Sequence, residues 1–314
     1  MNIKNTYDSR VAQLMVLICC MMMLLNSCGG DFSSRNDQVK IAFWGDSREN
    51  KDNAAEHIAD VLLNKITDWD FQVHAGDFTS HGSEEDWQRS LAYKGTDSLF
   101  VPGKFLMCTS NHDDKLVTYD KYTAGVLPVN NVNSATHFFA YHFKNVHLLF
   151  CDAYFSDSSS MASWLDKELA NIPEDDWIIG VWHAPCYGDI TYKKSYLDKC
   201  GPWLDKIAAR GGDFILHGHA HTYVRSHPLL PDGEIDHNNG MVHLVNGCGG
   251  ASWRDPQEVV AKTAFTPAVK AFPVITFITL ENETATIQTV DARPDSNLAV
   301  IDKWVWKQDL GARR

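Results

Sequence analysis

Apolar residues along this chain fall into short unbroken runs that alternate with stretches of helical spacing. Val39–Trp44 is too short for a helix and continuous enough for a buried strand. Ala55, Ile58, Val61, Leu62 and Ile66 then recur at three- and four-residue intervals, which predicts a helix over Asp52–Ile66. Phe71–Ala75 and Phe105–Thr109 repeat the strand pattern. Between them Ser83-Glu84-Glu85-Asp86 has the form of an N-terminal cap, opening a helix that carries Trp87 and Leu91. Strand, helix and strand again is the rhythm of an α/β protein.

Further along, His137–Phe143 and Val146–Asp152 read as a hairpin about Lys144-Asn145. A helix follows at Met161–Asn171, then a strand at Trp177–Trp182. Tyr196–Ala209 has helical spacing, and Asp213–Leu216 and Val242–Val245 are strand-like. Pro273–Leu280, Thr284–Val290 and Val300–Val305 predict three more strands. No internal repeat interrupts the pattern. The expectation is one domain with two sheets and outer helices, its ligands held at the carboxyl ends of the strands.

Composition narrows this picture. The chain has 314 residues, 44% of them hydrophobic, enough for one sizeable core. Its formal charge is −12, with both signs interspersed, so the surface repels phosphate backbones and no long nucleic acid is expected as partner. A small phosphorylated substrate stays open, because bound metal ions reverse the sign of the field locally.

The first residues read as a targeting segment. Lys4 and Arg10 precede the apolar run Val11–Leu25, short for a membrane span and suited to a signal-peptide core. Leu25-Asn26-Ser27-Cys28 resembles the lipobox of bacterial lipoproteins, which implies a signal peptide over 1–27, a lipidated Cys28 and a flexible tether to residue 38. Such an anchor would hold the protein on a membrane surface of the bacterial cell envelope. Cys19 and Cys20 fall in the signal segment, while Cys108 and Cys151 sit in apolar runs. Cys186 and Cys200 flank a polar loop, and their pairing is left open.

The chemistry lies where the strand runs end. Gly45-Asp46, Gly76-Asp77, Asn111-His112-Asp113, His183 and His217-Gly218-His219-Ala220-His221 follow one another in that order. A lone His183 would read as a core residue, but three alternating histidines in five positions desolvate poorly without a ligand. Two aspartates, an asparagine and three histidines suit divalent transition metals better than calcium or magnesium.

This ordered set resembles the calcineurin-like metallophosphoesterase superfamily, and within it the purple acid phosphatase-like branch. Gly82 six residues after Gly76, Asn145-Val146-His147, and Tyr223 with Arg225 fit the same pattern. The resemblance implies a four-layer α/β/β/α sandwich, a single catalytic domain over 39–306 with a tail at 307–314. It implies two divalent metal ions, Mn, Fe or Zn, with Asp46, Asp77 and His221 on one and Asp77, Asn111, His183 and His219 on the other. A metal-bound hydroxide would then attack the phosphorus of a phosphate ester, a monoester by the branch resemblance. His112 would bind phosphate and protonate the leaving group, Asp113 would orient its ring, and His217 would support the ligands from behind.

Four positions depart from the pattern, one of the smaller being Ala184 after His183. Arg48 stands where many members have a further histidine ligand, Ser80 where the purple acid phosphatases have a tyrosine, and Ser110 where a glycine is usual. The first metal is thus one protein ligand short. Either Arg48 grips the substrate phosphate, its planar fork matching two oxygens, or it occupies the vacancy and displaces that metal. The second alternative leaves a one-metal protein or one without turnover that acts by binding. Ser110 would strain its loop if the backbone there needs positive φ.

Overall fold

The second sheet owes its position to alternation along its strands, successive residues facing two different apolar clusters. The computed structural model describes residues 38–113, 115–127, 137–187, 194–254 and 272–308. The signal segment, Cys28 and the tether up to Asp37 lie outside the described residues, as does the tail after Gln308. The described residues fall in one compact unit.

Strands β1 (Val39–Trp44), β2 (Phe71–His74) and β3 (Phe105–Met107) run parallel to one another. The second sheet contains β4 (Phe139–Phe143), β5 (Val146–Phe150), β6 (Trp177–Val181), β7 (Phe214–His217), β8 (Tyr223–Leu229) and β9 (Met241–Asn246). Then β10 (Val274–Glu281), β11 (Thr284–Asp291) and β12 (Val300–Lys307) return to the first sheet as an antiparallel meander. The strand orders are β12-β11-β10-β1-β2-β3 and β4-β5-β6-β7-β9-β8. In the second sheet β5, β6, β7 and β9 are parallel, and the edges β4 and β8 are antiparallel.

Five helices complete the described chain: α1 (Ala54–Asp60), α2 (Glu84–Leu91), α3 (Leu116–Thr123), α4 (Ser158–Leu169) and α5 (Lys194–Ala209). One face of the second sheet presents Leu148, Phe150, Trp177, Ile179, Phe214 and Leu216 to the cluster that holds Ile41 and Phe43 of β1. The intervening Leu149, Ile178 and Ile215 face the other way, against Leu165 of α4 and Trp203, Leu204 and Ile207 of α5. Trp87 of α2 and Ile58 of α1 are fully buried with the first sheet. The result is the expected α/β/β/α sandwich. Ser83 caps α2 as its sequence implied, accepting the Asp86 N–H at 3.1 Å.

Departures from the expected elements have local causes. The stretch read as one helix over Asp52–Ile66 is a 3-10 turn at Lys51–Asn53, then α1, then a π turn at Val61–Lys65. Neither α3 nor β8 was expected from the pattern. The last strand continues to Lys307, and Gln308 is buried with its amide donating to Asp213, so the folded domain passes the expected end at residue 306.

One polar group ties an edge of each sheet to the other. Asp302 of β12 accepts the Tyr223 hydroxyl at 2.7 Å and the Arg225 guanidinium at 2.7 and 3.1 Å, all three side chains being buried. Removing the carboxylate leaves a buried guanidinium short of its counter-charge, so Asp302→Ala is expected to lower the unfolding free energy by about 3 kcal/mol. Tyr223→Phe, which removes one hydrogen bond, should lower it by about 1 kcal/mol. Denaturant titration of the two variants checks both values, and an Asp302→Ala effect below that of Tyr223→Phe would be the wrong order.

Candidate metal centre

Five parallel strands deliver the site. Asp46 follows β1, Asp77 follows β2, Asn111 follows β3, His183 follows β6, and His219 and His221 follow β7. Asp46, Asp77 and His221 are buried, with one ligand atom from each lying within 4.8 Å of the other two. His183 Nε2 is 3.2 Å from Asp77 Oδ1, and His219 Nδ1 is 3.1 Å from Asn111 Oδ1. The rings of His183 and His219 stand edge to face at 5.2 Å. All six metal-ligand candidates are therefore brought to one place, with Asp77 between the two groups.

The backbone there is held in an unusual state. Asp46, Asp77, His219 and His221 have φ of 58°, 54°, 68° and 53°. Left-handed conformation costs an L-residue about 1–2 kcal/mol, and four instances on one set of side chains mark a functional site rather than chance. The turns pack too closely for side chains between them. A Cβ on Gly218 would lie 2.4 Å from Asp46 Oδ2, an approach that lets the His219 N–H donate to that carboxylate at 2.8 Å. At Gly76 (φ +86°) a Cβ would meet the His183 ring at 2.9 Å.

Hydrogen bonds behind the ligands set their tautomers. His183 Nδ1–H donates to the Ala75 carbonyl at 2.5 Å, and His221 Nδ1–H to the Ser252 carbonyl at 2.8 Å. In each ring the lone pair is thus on Nε2, facing the site. Asp77 Oδ1 and His183 Nε2 are both buried without a hydrogen-bond partner, although they face each other. Two lone pairs at that distance need a cation or a proton between them. With none counted, burial pulls His183 down, but the carboxylates of Asp77 and Asp46 outweigh it and raise the imidazole to about 9. Burial raises the Asp46 carboxyl to about 7, against the pull of His183. For Asp77 burial loses to His183, which holds that carboxyl well below the usual range. Burial lowers His219 to about 2 and His221 to about 4, leaving both neutral and ready to ligate. A divalent cation resolves every one of these tensions, so the donor set fits one.

The remaining candidates are placed as follows. His112 Nε2 lies 3.7 Å from Asp77 Oδ2, and its Nδ1–H donates to the Ser80 carbonyl at 2.5 Å. That corrects the role expected of Asp113. Its buried carboxylate accepts the Ser110 N–H at 2.7 Å and the Ser110 hydroxyl at 2.9 Å, and the His112 ring is held by a backbone oxygen instead. The Ser110 backbone is outside the positive-φ region, so this serine closes the loop without strain. Arg48 Nε stands 3.3 Å from Asp77 Oδ2. His217 supports the strands rather than the ligands: its Nδ1–H donates to Trp182, and its Nε2 faces His243 Nδ1 at 3.2 Å. Cys108, Cys151, Cys186, Cys200 and Cys248 are buried, and no disulfide joins them among the described residues.

Three contributors were not legible in the sequence. Glu49 binds Arg48, Ser252 orients His221, and Arg254 lies close enough for its charge to depress His219 and His221. No motif marks them: Ser252 acts through its backbone, Arg254 on residues more than thirty positions away, and Glu49 through an arginine that itself departs from the pattern.

A model of the calcineurin-like phosphoesterase family matches residues 39–223. The chain is 31% identical over 115 residues to an uncharacterized protein of Mycobacterium tuberculosis, covering 28% of this chain and 20% of that one. With an acid phosphatase of Aspergillus ficuum it shares 29% identity over 102 residues, covering 28% of this chain and 16% of the relative. These matches therefore span a fifth or less of the relatives' length. Among solved structures, a purple acid phosphatase isolated from yellow lupin (Lupinus luteus) seeds superposes with a TM-score of 0.71 at 15% identity, covering 90% of this chain and 56% of that chain.

The close approach at Gly218 gives a direct test. Gly218→Ala pushes a methyl group onto Asp46 and should weaken Mn(II) binding about tenfold or more, with secondary structure by circular dichroism retained. Unchanged affinity by equilibrium dialysis would show that the approach is not needed for metal binding.

Proposed function

This chain belongs to the calcineurin-like phosphoesterase family, and we propose that it hydrolyses phosphate monoesters of small molecules with two divalent ions. The observation that carries the reading is the convergence of Asp46, Asp77 and His221 within 4.8 Å, with unsatisfied buried donor atoms on Asp77 and His183 beside them. Asp46, Asp77 and His221 would hold one ion, and Asp77, Asn111, His183 and His219 the other. Together the ions would supply a water of lowered pKa and positive charge for the phosphate oxygens.

The chain's own groups divide the remaining work. His112 carries a proton on Nδ1, fixed by the Ser80 carbonyl, so its Nε2 is the atom that meets substrate. In the imidazolium form Nε2–H donates to the ester oxygen and passes it the proton as the bond to phosphorus breaks. Arg48 is ion-paired with Asp77 and Glu49, and its N–H donors would be free to grip a substrate phosphate oxygen beside the site. Two negative charges on a monoester match this concentration of cationic groups better than the single charge of a diester.

A second reading has one specific observation in its favour. Arg48 Nε lies 3.3 Å from the carboxylate both ions would share. A guanidinium there is a competitor for the first ion, and in that case the protein holds one ion or only binds its ligand.

Turnover of p-nitrophenyl phosphate should exceed that of bis-p-nitrophenyl phosphate, vanish on chelation and return with Mn, Fe or Zn. His112→Ala should lower kcat about a hundredfold or more. Absence of turnover of both esters with every added metal would leave the binding reading standing.

For location, the lipobox-like Leu25-Asn26-Ser27-Cys28 supports a lipid anchor at Cys28 on an envelope membrane. Radiolabelled palmitate should enter the protein in bacterial cells and be lost in Cys28→Ala. Equal labelling of both, or of neither, counts against the anchor.

A further inference from the structure

Glu49 bridges two parts of the site that the sequence keeps far apart. One of its oxygens, Oε1, forms an ion pair with Arg48 Nη1 at 3.0 Å. The other, Oε2, accepts the Ser252 N–H at 3.1 Å and the Ser252 hydroxyl at 2.8 Å. The Ser252 carbonyl in turn receives His221 Nδ1–H, and His221 Nε2 is 3.5 Å from Asp46 Oδ1. Arg48 closes the ring through Nε, 3.3 Å from Asp77 Oδ2. The circuit Asp77, Arg48, Glu49, Ser252, His221, Asp46 encircles the place where the first ion would sit.

This arrangement bears on the conflict that Arg48 poses. A guanidinium beside a carboxylate shared by two cations is drawn towards that carboxylate and competes with the ion. Arg48 is only 15% exposed, so water screens this attraction poorly, and Asp77 at 1% is not hydrated at all. An anion on the far side of the guanidinium draws it outward and offsets its charge. Glu49 is that anion, and it is anchored by two hydrogen bonds from a residue of another loop.

We infer that Glu49 is a positioning residue that offsets the pull of Asp77 on Arg48 and keeps their contact to an ion pair without a hydrogen bond, so that a phosphate-gripping arginine and a metal ion share one site. The inference rests on the two-metal reading above and deepens it. Glu49 touches neither ion nor substrate; it acts through Arg48.

Mn(II) binding to the full chain, followed by equilibrium dialysis and by the electron paramagnetic signal of a coupled pair, separates the possibilities. Four proteins are compared: wild type, Glu49→Gln, Arg48→Ala and the double variant. The glutamine keeps an acceptor for Ser252 while removing the charge and the oxygen that faces Arg48. The expected result is two ions in wild type and in Arg48→Ala. Glu49→Gln should lose the coupled signal and bind its weaker ion at least about tenfold less tightly. The double variant should recover both, because the competitor is gone. A double variant as weak as Glu49→Gln would show that Glu49 acts through the Ser252 loop, and the inference would be wrong. Two tightly held ions in Glu49→Gln would overturn it as well. One ion in wild type and two in Arg48→Ala would show that Glu49 fails to restrain Arg48. One ion or none in all four proteins would remove the two-metal reading itself, a result distinguishable from the others by the Arg48→Ala arm.

Discussion

Asp46 and Asp77 stand beside one another out of reach of water, and neither persists there as an anion without positive charge at close range. That requirement organises the centre of the molecule. It accounts for the neutral, ligand-ready histidines and for the lone pairs of His183 and Asp77 that face each other. It also accounts for the arginine that leans on the shared carboxylate. The two sheets supply the rigidity that keeps the carboxylates from turning away to solvent. Without the sandwich the repulsion would simply be relieved by rotation of a side chain.

The rigidity has a local form. Four of the candidate ligands, two aspartates and two histidines, sit in the left-handed region, which few residues other than glycine occupy and where these types are among the better tolerated. Each turn is short because it leaves a buried strand end and returns at once to a loop packed against another turn. Gly76 and Gly218 permit those contacts by having nothing to place between them. The strain is carried by the hydrogen-bonded strands behind, β1, β2, β6 and β7, all of them fully or almost fully buried.

Much of this was legible in the sequence because it is local. Val39–Trp44 appears in the structure with the bounds its apolar run implied, and Ser83 caps the helix its neighbours announced. The six candidate ligands were legible as motifs a few residues long at strand ends, and the structure places these residues close together. Helix α3 was not, since Leu-Val-Thr-Tyr-Asp-Lys-Tyr-Thr has no apolar face of its own and its burial depends on Tyr119 reaching the core. Strand β8 was hidden by Pro228, which an edge position tolerates. Asp113 was given the wrong partner because the nearest acceptor along the chain is not the nearest in space: the Ser80 carbonyl reaches His112 from 32 positions away. Glu49 and Ser252 lie 203 positions apart, and no spacing rule links them.

The place of β1 in its sheet has a consequence for how the protein comes into being. It lies between β2, close by in sequence, and β10, more than two hundred residues further on. A ribosome that has made the first three strands has made half a sheet whose innermost strand still offers an open edge. That edge is sealed only when the closing meander arrives. Until then Asp46, mounted at the tip of that same strand, stands on a strand paired on one side only. All six candidate ligands precede residue 222, so the strand that seals this edge is made after every group it helps to hold in place.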